Sequence, residues 1–541
     1  MKPVPAAKLL DTRIYGLASD PALFQEKVIH TRELFHLYNW KQAHAHLSLI
    51  IVLMGGTGTG KSTLFNALNQ KQISAESVRR PTTGGGIAYM RSDFIPAFQA
   101  NQFPFPINIY NIRNIPLDGK KDELSIIGHQ LKQSLIYIDS PDVDSICIEN
   151  KNHAHRLLLL ADFIIFVTTE EKYADQEPLE IVHLARVYNK KMMCILNKSE
   201  DNQLAQTIQA HVKKMAQMDI PFIVIPRKIS DDTNQYLNSV DELRSGLENL
   251  RKSQQKKTRK QDIKALFNLY EKWMGDIQEL VDDEWTTWKK IEKILEDAAQ
   301  HSKEMLLQSP ATFDHAYFDQ CIKPHIKDVY NRHDVLAPVR KWVMDILKKP
   351  FYLIHSSNPK TSSEIFLPEM DITPLQFALV EYQTTIKRQI GTKVFLDYIQ
   401  KHTPELDKET TQQQFTEKMS TINHWLTEQF EKLNKGIPIG KRIGMHAISL
   451  VWGSAILGIE TISGGGLTPI ELAVDSLIAP YITAGATELF VVKELKSIVH
   501  QLRNQYMKAL YAVVDFQHEQ YKNVLETLKP RTILKNGLVL L

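Results

Sequence analysis

Residues 55 to 62 read Gly-Gly-Thr-Gly-Thr-Gly-Lys-Ser, directly after the apolar run from Leu47 to Met54. A near-continuous apolar run of this kind is the signature of a strand buried on both faces of a parallel sheet. The helix-compatible Thr63-Leu64-Phe65-Asn66-Ala67-Leu68 follows at once. Strand, glycine-rich loop and helix in this order form the setting that a phosphate-binding loop requires. The glycines let successive backbone N–H groups of Gly55, Gly56, Thr57, Gly58, Thr59 and Gly60 turn towards an anion, and the N-terminus of the helix adds partial positive charge. Lys61 supplies a point charge for the outer phosphates, Ser62 a hydroxyl for Mg²⁺, and Thr63 lies in the first turn beside them.

The loop alone does not separate ATP from GTP, so the segments after it matter. Val78 to Thr83 lies in a glycine-rich, strand-poor stretch, where a switch loop bearing Thr82 and Thr83 would close on Mg²⁺ and the terminal phosphate. Gln133 to Ile138 reads as a second strand ending in Asp139-Ser140-Pro141-Asp142, with Asp139 expected to hold Mg²⁺ through water. Lys191 to Leu196 reads as a third, delivering Asn197-Lys198-Ser199-Glu200.

With these four segments in this order, the chain resembles the Era-like and dynamin-related GTPases of bacteria. The likeness covers roughly residues 45 to 230 and is strongest at 55 to 68. It implies GTP or GDP with Mg²⁺ as ligands, with Lys61, Thr83 and Asp139 in catalysis, and Ser62, Thr83 and Asp139 at the metal. Asn197, Lys198 and Glu200 would then read guanine. Two positions depart from the family pattern. Asp142 stands where the family has Gly, so its carboxylate is expected to point to solvent or to a cation. Glu200 replaces the usual Asp and is one methylene longer, which leaves the neighbouring Asp201 as an alternative reader. Val143 occupies the region where Ras-like enzymes carry a water-orienting Gln. The resemblance therefore implies that water is placed by switch backbone, a cation or a dimer partner, with slow turnover raised by self-association. Thr169 to Gln176 fits either part of such a dimer face or a solvated loop.

At 541 residues the chain is long enough for three or four units at about 150 residues each. Its net charge of +3 gives no general argument for nucleic acid, which is not an expected partner. The three cysteines, Cys147, Cys194 and Cys321, read as packing residues in a reducing compartment. Asp11, Arg13 and Asp20 interrupt the apolar positions that a signal peptide needs, so a cytoplasmic location, peripheral or hairpin-anchored at the inner face of a membrane, is expected. The basic run Arg251 to Lys260 fits a solvated helix face or a contact for an anionic membrane surface or RNA backbone, and no interleaved aromatics favour single-stranded RNA. His44 with His46, and His153 with His155, lack partners at metal-ligand spacing.

From about residue 259 the pattern turns helical. Leu266, Leu269, Trp273, Ile277, Leu280, Val281, Trp285, Trp288, Ile291, Ile294 and Leu295 recur at spacings of three and four. Similar stripes fill 313 to 355, 370 to 401 and 410 to 434, and a further helix is expected at about 19 to 45. Ile443 to Ile459 carries no formal charge, and after a Gly-rich turn Leu472 to Val492 carries only Asp475 and Glu488. Each arm sits at the lower edge of the roughly 17 to 25 residues that span a bilayer. A membrane hairpin and a hairpin buried in a soluble bundle both fit these letters. The expected fold is an α/β P-loop GTPase domain with a mostly parallel sheet, plus a large, mostly α-helical bundle or stalk. The expected divisions are 1–44, 45–250, 251–436, the apolar hairpin 437–493 and a returning helix 494–541. A dynamin-related membrane mechanoenzyme or switch is the leading functional reading. An Era-like assembly GTPase binding RNA or ribosomes and a non-hydrolysing nucleotide-gated scaffold are the alternatives.

Overall fold

In the computed structural model the described residues are 12–74, 85–99, 103–110, 123–130, 134–142, 148–173, 176–199, 202–217, 220–227, 234–308, 372–403, 408–436 and 486–531. Thr82, Thr83, Val143, Cys147, Glu200, Asp201, Cys321, the stripe at 313 to 355 and residues 437–485 of the apolar hairpin lie outside them.

The elements in chain order are α1 (Pro21–Ala43), β1 (Ile50–Met54), α2 (Lys61–Leu68), β2 (Gly86–Arg91), the one-turn α3 (Ile95–Phe98), β3 (Ile107–Tyr110), β4 (Leu124–His129), β5 (Ile136–Asp139), α4 (Ile148–Leu160), β6 (Phe163–Thr168), α5 (Gln176–Val187), β7 (Lys191–Asn197), α6 (Asn202–Ala216), β8 (Phe222–Ile225) and α7 (Asn234–Gln308). After them come α8 (Thr373–Gln389), α9 (Lys393–His402), α10 (Lys408–Gly436) and α11 (Ala486–Thr527). The strands form one sheet in the order β3-β4-β2-β5-β1-β6-β7-β8. Only the β2–β5 pairing is antiparallel. β1 is flanked by β5 and β6 in parallel register, Leu53 facing Asp139 on one side and Ile165 on the other. All residues of β1 and β6 are buried, which is why both read as unbroken apolar runs.

The chain divides into two compact units, the first made of Met1–Ile14, Ser19–Asp282 and Arg531–Leu541, the second of Tyr15–Ala18 and Asp283–Pro530. The expected division at residue 250 falls inside α7, which runs through it without a break. In the first unit α2 and the start of α7 cover the sheet, with Leu64, Phe65, Tyr236, Val240 and Leu243 packed on Ile51, Leu53 and Tyr137. One member of the basic run is not on the surface. Arg259 is 2% exposed and its guanidinium pairs with Asp162 at 2.9 Å, because α7 turns that face towards the ends of β1 and β6.

The second unit is a helical core. Trp288, Ile291 and Leu295 of α7 join Leu379 and Tyr382 of α8, Phe415 and Met419 of α10, and Leu502, Tyr506 and Val514 of α11. The buried Glu284 carboxylate accepts N–H bonds from Tyr15, Gly16, Leu17 and Ala18 at 2.7 to 3.0 Å, tying that short segment to α7. Among the described residues no helix is long and apolar enough to cross a membrane.

In the first unit α1, α4, α5 and α7 line an open pocket of about 460 Å³. His155 on its wall bonds the Tyr188 hydroxyl at 2.8 Å. Burial, and then the neighbouring His30 and Arg156, push its pKa down to about 4. In the unfolded chain a histidine titrates near 6.5, so between these values the unfolded state binds the proton and the folded state does not. Stability is therefore expected to fall as pH drops from about 6.5 to about 4, by at most about 3 kcal/mol from this residue. Melting wild type and His155→Gln across that window checks it, and the variant should show the shallower acid slope.

Candidate functional site

The 55–62 loop leaves β1 at the C-terminal edge of the sheet and enters α2. Gly60 is the N-cap of α2, has φ 89° and supplies no side-chain cap, so the first-turn N–H groups of α2 are left for another acceptor. A Cβ on Gly60 would overlap the Asn197 amide, and one on Gly55 would overlap the Val167 carbonyl. The loop thus passes so close to the ends of β6 and β7 that side chains are excluded at both points.

Three other segments meet it. Asp139 closes β5 and is fully buried, and its Oδ2 accepts from the Ser62 hydroxyl at 2.7 Å and from the Ser74 hydroxyl at 2.7 Å. Its Oδ1 is buried with no hydrogen-bond partner. Burial raises the carboxyl pKa, with Lys61 and the two serine hydroxyls opposing it. A buried carboxylate with one orphaned oxygen beside a serine hydroxyl suits a divalent cation, whose charge would offset the desolvation. Ser62 and Asp139 therefore fit Mg²⁺.

The Lys61 ammonium donates to the Gly56 carbonyl at 3.0 Å and to Asp142 Oδ1 at 2.5 Å. Of the two orientations expected of Asp142, the structure takes the one towards a cation, and that cation is Lys61. From β7, Asn197 Nδ2 donates to the Thr59 carbonyl at 2.9 Å and Lys198 Nζ to the Gly58 carbonyl at 2.8 Å. Lys198 holds φ 62°, an uncommon backbone state for a side-chain-bearing residue that lets it reach back over the loop. Thr57 and Thr63 lie in the loop and the first turn of α2.

Ser74 was not among the residues expected at the site. It is placed by Asn66 of α2, whose Oδ1 accepts from the Ile73 and Ser74 N–H groups at 2.8 and 2.9 Å and whose Nδ2 donates to the Ser74 carbonyl at 2.8 Å. A buried Asn on the inward face of α2 was the available signal. The two His-Ala-His pairs have ordinary partners: His44 Nδ1 meets the Trp40 carbonyl, and His153 Nε2 accepts from the Gly86 N–H. Cys194 is buried in β7, and its thiol pKa is pushed up to about 12 by burial.

Sheet order, strand-loop-helix and the carboxylate at the end of β5 together define an α/β domain of the P-loop type, accompanied by a mostly helical unit. Among solved structures the chain is similar to Era bound to MgGDPNP and 16S ribosomal RNA nucleotides, at 17% identity over 37% of this chain and 56% of that one, TM-score 0.26. It is similar to a bacterial dynamin pair described as sensing and tethering membranes, at 15% identity over 96% and 81%, TM-score 0.30. It is also similar to Toc33 from Arabidopsis thaliana with Mg²⁺ and GMPPNP, at 13% identity over 44% and 97%, TM-score 0.24. The chain spans just over half the length of the Era structures. No protein-family profile and no curated protein matches the sequence.

Proposed function

We propose that the protein binds guanine nucleotide and hydrolyses GTP at the 55–62 loop, and that its helical unit makes it a dynamin-related, membrane-associated mechanoenzyme or switch. The convergence of Lys61, Ser62, Asp139, Asn197 and Lys198 on one loop supports the nucleotide reading most strongly. Lys61 and the open N-terminus of α2 bind the outer phosphates. Ser62 and Asp139 would hold Mg²⁺, which when bound neutralises charge on those phosphates. Ser74 keeps the Asp139 carboxylate oriented, and the buried strand ends exclude water around it. Asn197 and Lys198 brace the phosphate loop from the segment that would meet the base, with Glu200 or Asp201 next along the chain. Thr82 and Thr83 complete the proposed site as the switch that closes on the metal.

Gly60→Ala tests the loop. The left-handed φ costs about 1–2 kcal/mol for a residue with a Cβ, before the overlap with Asn197 is counted. Nucleotide affinity should fall about tenfold or more in a fluorescent-nucleotide titration, and an unchanged affinity would remove this loop from the site. Guanine choice is read from competition: equal displacement by ATP and GTP would count against the role given to Asn197 and Glu200.

The membrane part rests on the apolar arms at 443–459 and 472–492, which follow α10 in the sequence and of which the second takes in the first residues of α11. Flotation with anionic liposomes, with and without a GTP analogue, tests it. Replacing Val451, Trp452 and Ile456 with Lys should abolish flotation, because each cation at bilayer depth costs about 2.5–3.5 kcal/mol on insertion scales. A wild-type protein that never floats would end the membrane reading.

A further inference from the structure

Asp142 pairs with the lysine of the phosphate loop. Its carboxylate sits 2.5 Å from the Lys61 ammonium, and the two side chains are only 13% and 4% exposed. Water therefore screens the pair far less than it screens a surface ion pair. Lys61 has three protons to give, and two of them already go to Gly56 and Asp142.

The phosphate-loop lysine is the group that reaches the outer phosphates of a nucleotide. A carboxylate on that ammonium occupies a place that a phosphate oxygen would take. A nucleoside diphosphate brings one outer phosphate, and the third proton of Lys61 can serve it while Asp142 stays. A triphosphate brings another phosphate to the same ammonium, and two mostly buried anions then compete for one cation.

Resting on the nucleotide-binding reading above, we propose that Asp142 is a built-in substitute for the terminal phosphate, and that it sets the preference of the site for nucleoside diphosphate over triphosphate. With diphosphate bound it completes the partners of Lys61. For triphosphate to bind, the carboxylate must leave Lys61, so that Asp142 and the terminal phosphate exclude one another.

The test is calorimetric titration of the full chain with GDP and with a non-hydrolysable GTP analogue, both in Mg²⁺, for wild type, Asp142→Asn and Asp142→Gly. Asparagine keeps the size and removes the charge, whereas glycine removes the side chain. Wild type should bind GDP more tightly than the analogue. In both variants the ratio of analogue Kd to GDP Kd should fall by about tenfold or more, the scale of removing one like charge a few ångströms away in a partly buried site, mainly through tighter analogue binding. Ratios unchanged in both variants overturn the proposal. So does a wild type that prefers the triphosphate analogue, a result that needs no variant to fold. Wild-type protein that binds neither nucleotide instead overturns the nucleotide-binding reading and this inference with it.

Discussion

Lys61→Ala protein should release phosphate from GTP at least about 100-fold more slowly than wild type, the loss typical of deleting one preorganised positive or donor group from a reacting centre. The side chain is buried and points back at its own loop through the Gly56 carbonyl. The other lysine at the loop, Lys198, is more exposed and donates to the Gly58 carbonyl. The same change strands Asp142, whose carboxylate then stays mostly buried without its partner, at an expected cost of about 1–3 kcal/mol in stability. Lys61→Ala/Asp142→Ala should recover part of that cost while hydrolysis stays lost. Phosphate release by Lys61→Ala at the wild-type rate would remove Lys61 from the chemistry. A double variant no more stable than the single one would show that the ion pair is not what holds Asp142.

The strand β1 was legible because burial on both faces leaves an unbroken apolar run, and β5 and β7 because they end in residues of distinctive chemistry. β2, β3 and β4 were not. Gly86–Arg91 follows a stretch that reads as glycine-rich and strand-poor, and Ile107–Tyr110 and Leu124–His129 lie among prolines and polar residues without alternation long enough to mark an edge. The helical stripe from Leu266 to Leu295 was plain, since spacings of three and four persist over many turns. Where α7 begins was not, because residues 234 to 258 carry dense charge. At the site, motif spacing pointed to Lys61, Ser62, Asp139 and Asn197. Ser74 escaped it because its position depends on Asn66, eight residues earlier on another element, and hydrogen bonds of that kind follow no sequence period.

Long-range charge pairing was the least legible feature, and it carries the largest expected effect on stability. Lys41 from α1, Lys190 before β7, and Arg259 and Asp262 from α7 meet Asp162 at the start of β6, all of them buried. Asp162 accepts from Lys41 at 2.9 Å, from Arg259 at 2.9 Å and from the Ile50 N–H at 2.9 Å. Asp262 pairs with Lys41 at 2.5 Å and Lys190 at 2.7 Å, and Lys190 also donates to the Ala161 carbonyl. Three buried cations thus depend on two carboxylates.

Asp162→Ala leaves those three cations with one carboxylate and strips the Ile50 N–H of its acceptor. Breaking a buried pair from one side costs about 3–5 kcal/mol, a large part of the roughly 5–15 kcal/mol that holds a typical domain together. Denaturant unfolding should show a loss in that range, and Asp162→Asn, which can still accept from Ile50, should lose less. Burial raises the Asp162 carboxyl pKa, but Arg259 and Lys41 more than offset it, so the net shift is downward. A carboxyl with a depressed folded-state pKa stabilises above its unfolded value near 3.9, and that contribution drains away as pH falls through the lower folded value. The deficit of Asp162→Ala relative to wild type should therefore be full at neutral pH and shrink on strong acidification. A loss below about 1 kcal/mol at pH 7 would show that the remaining carbonyl partners suffice, and that the cluster does not anchor α1 and α7 to the sheet.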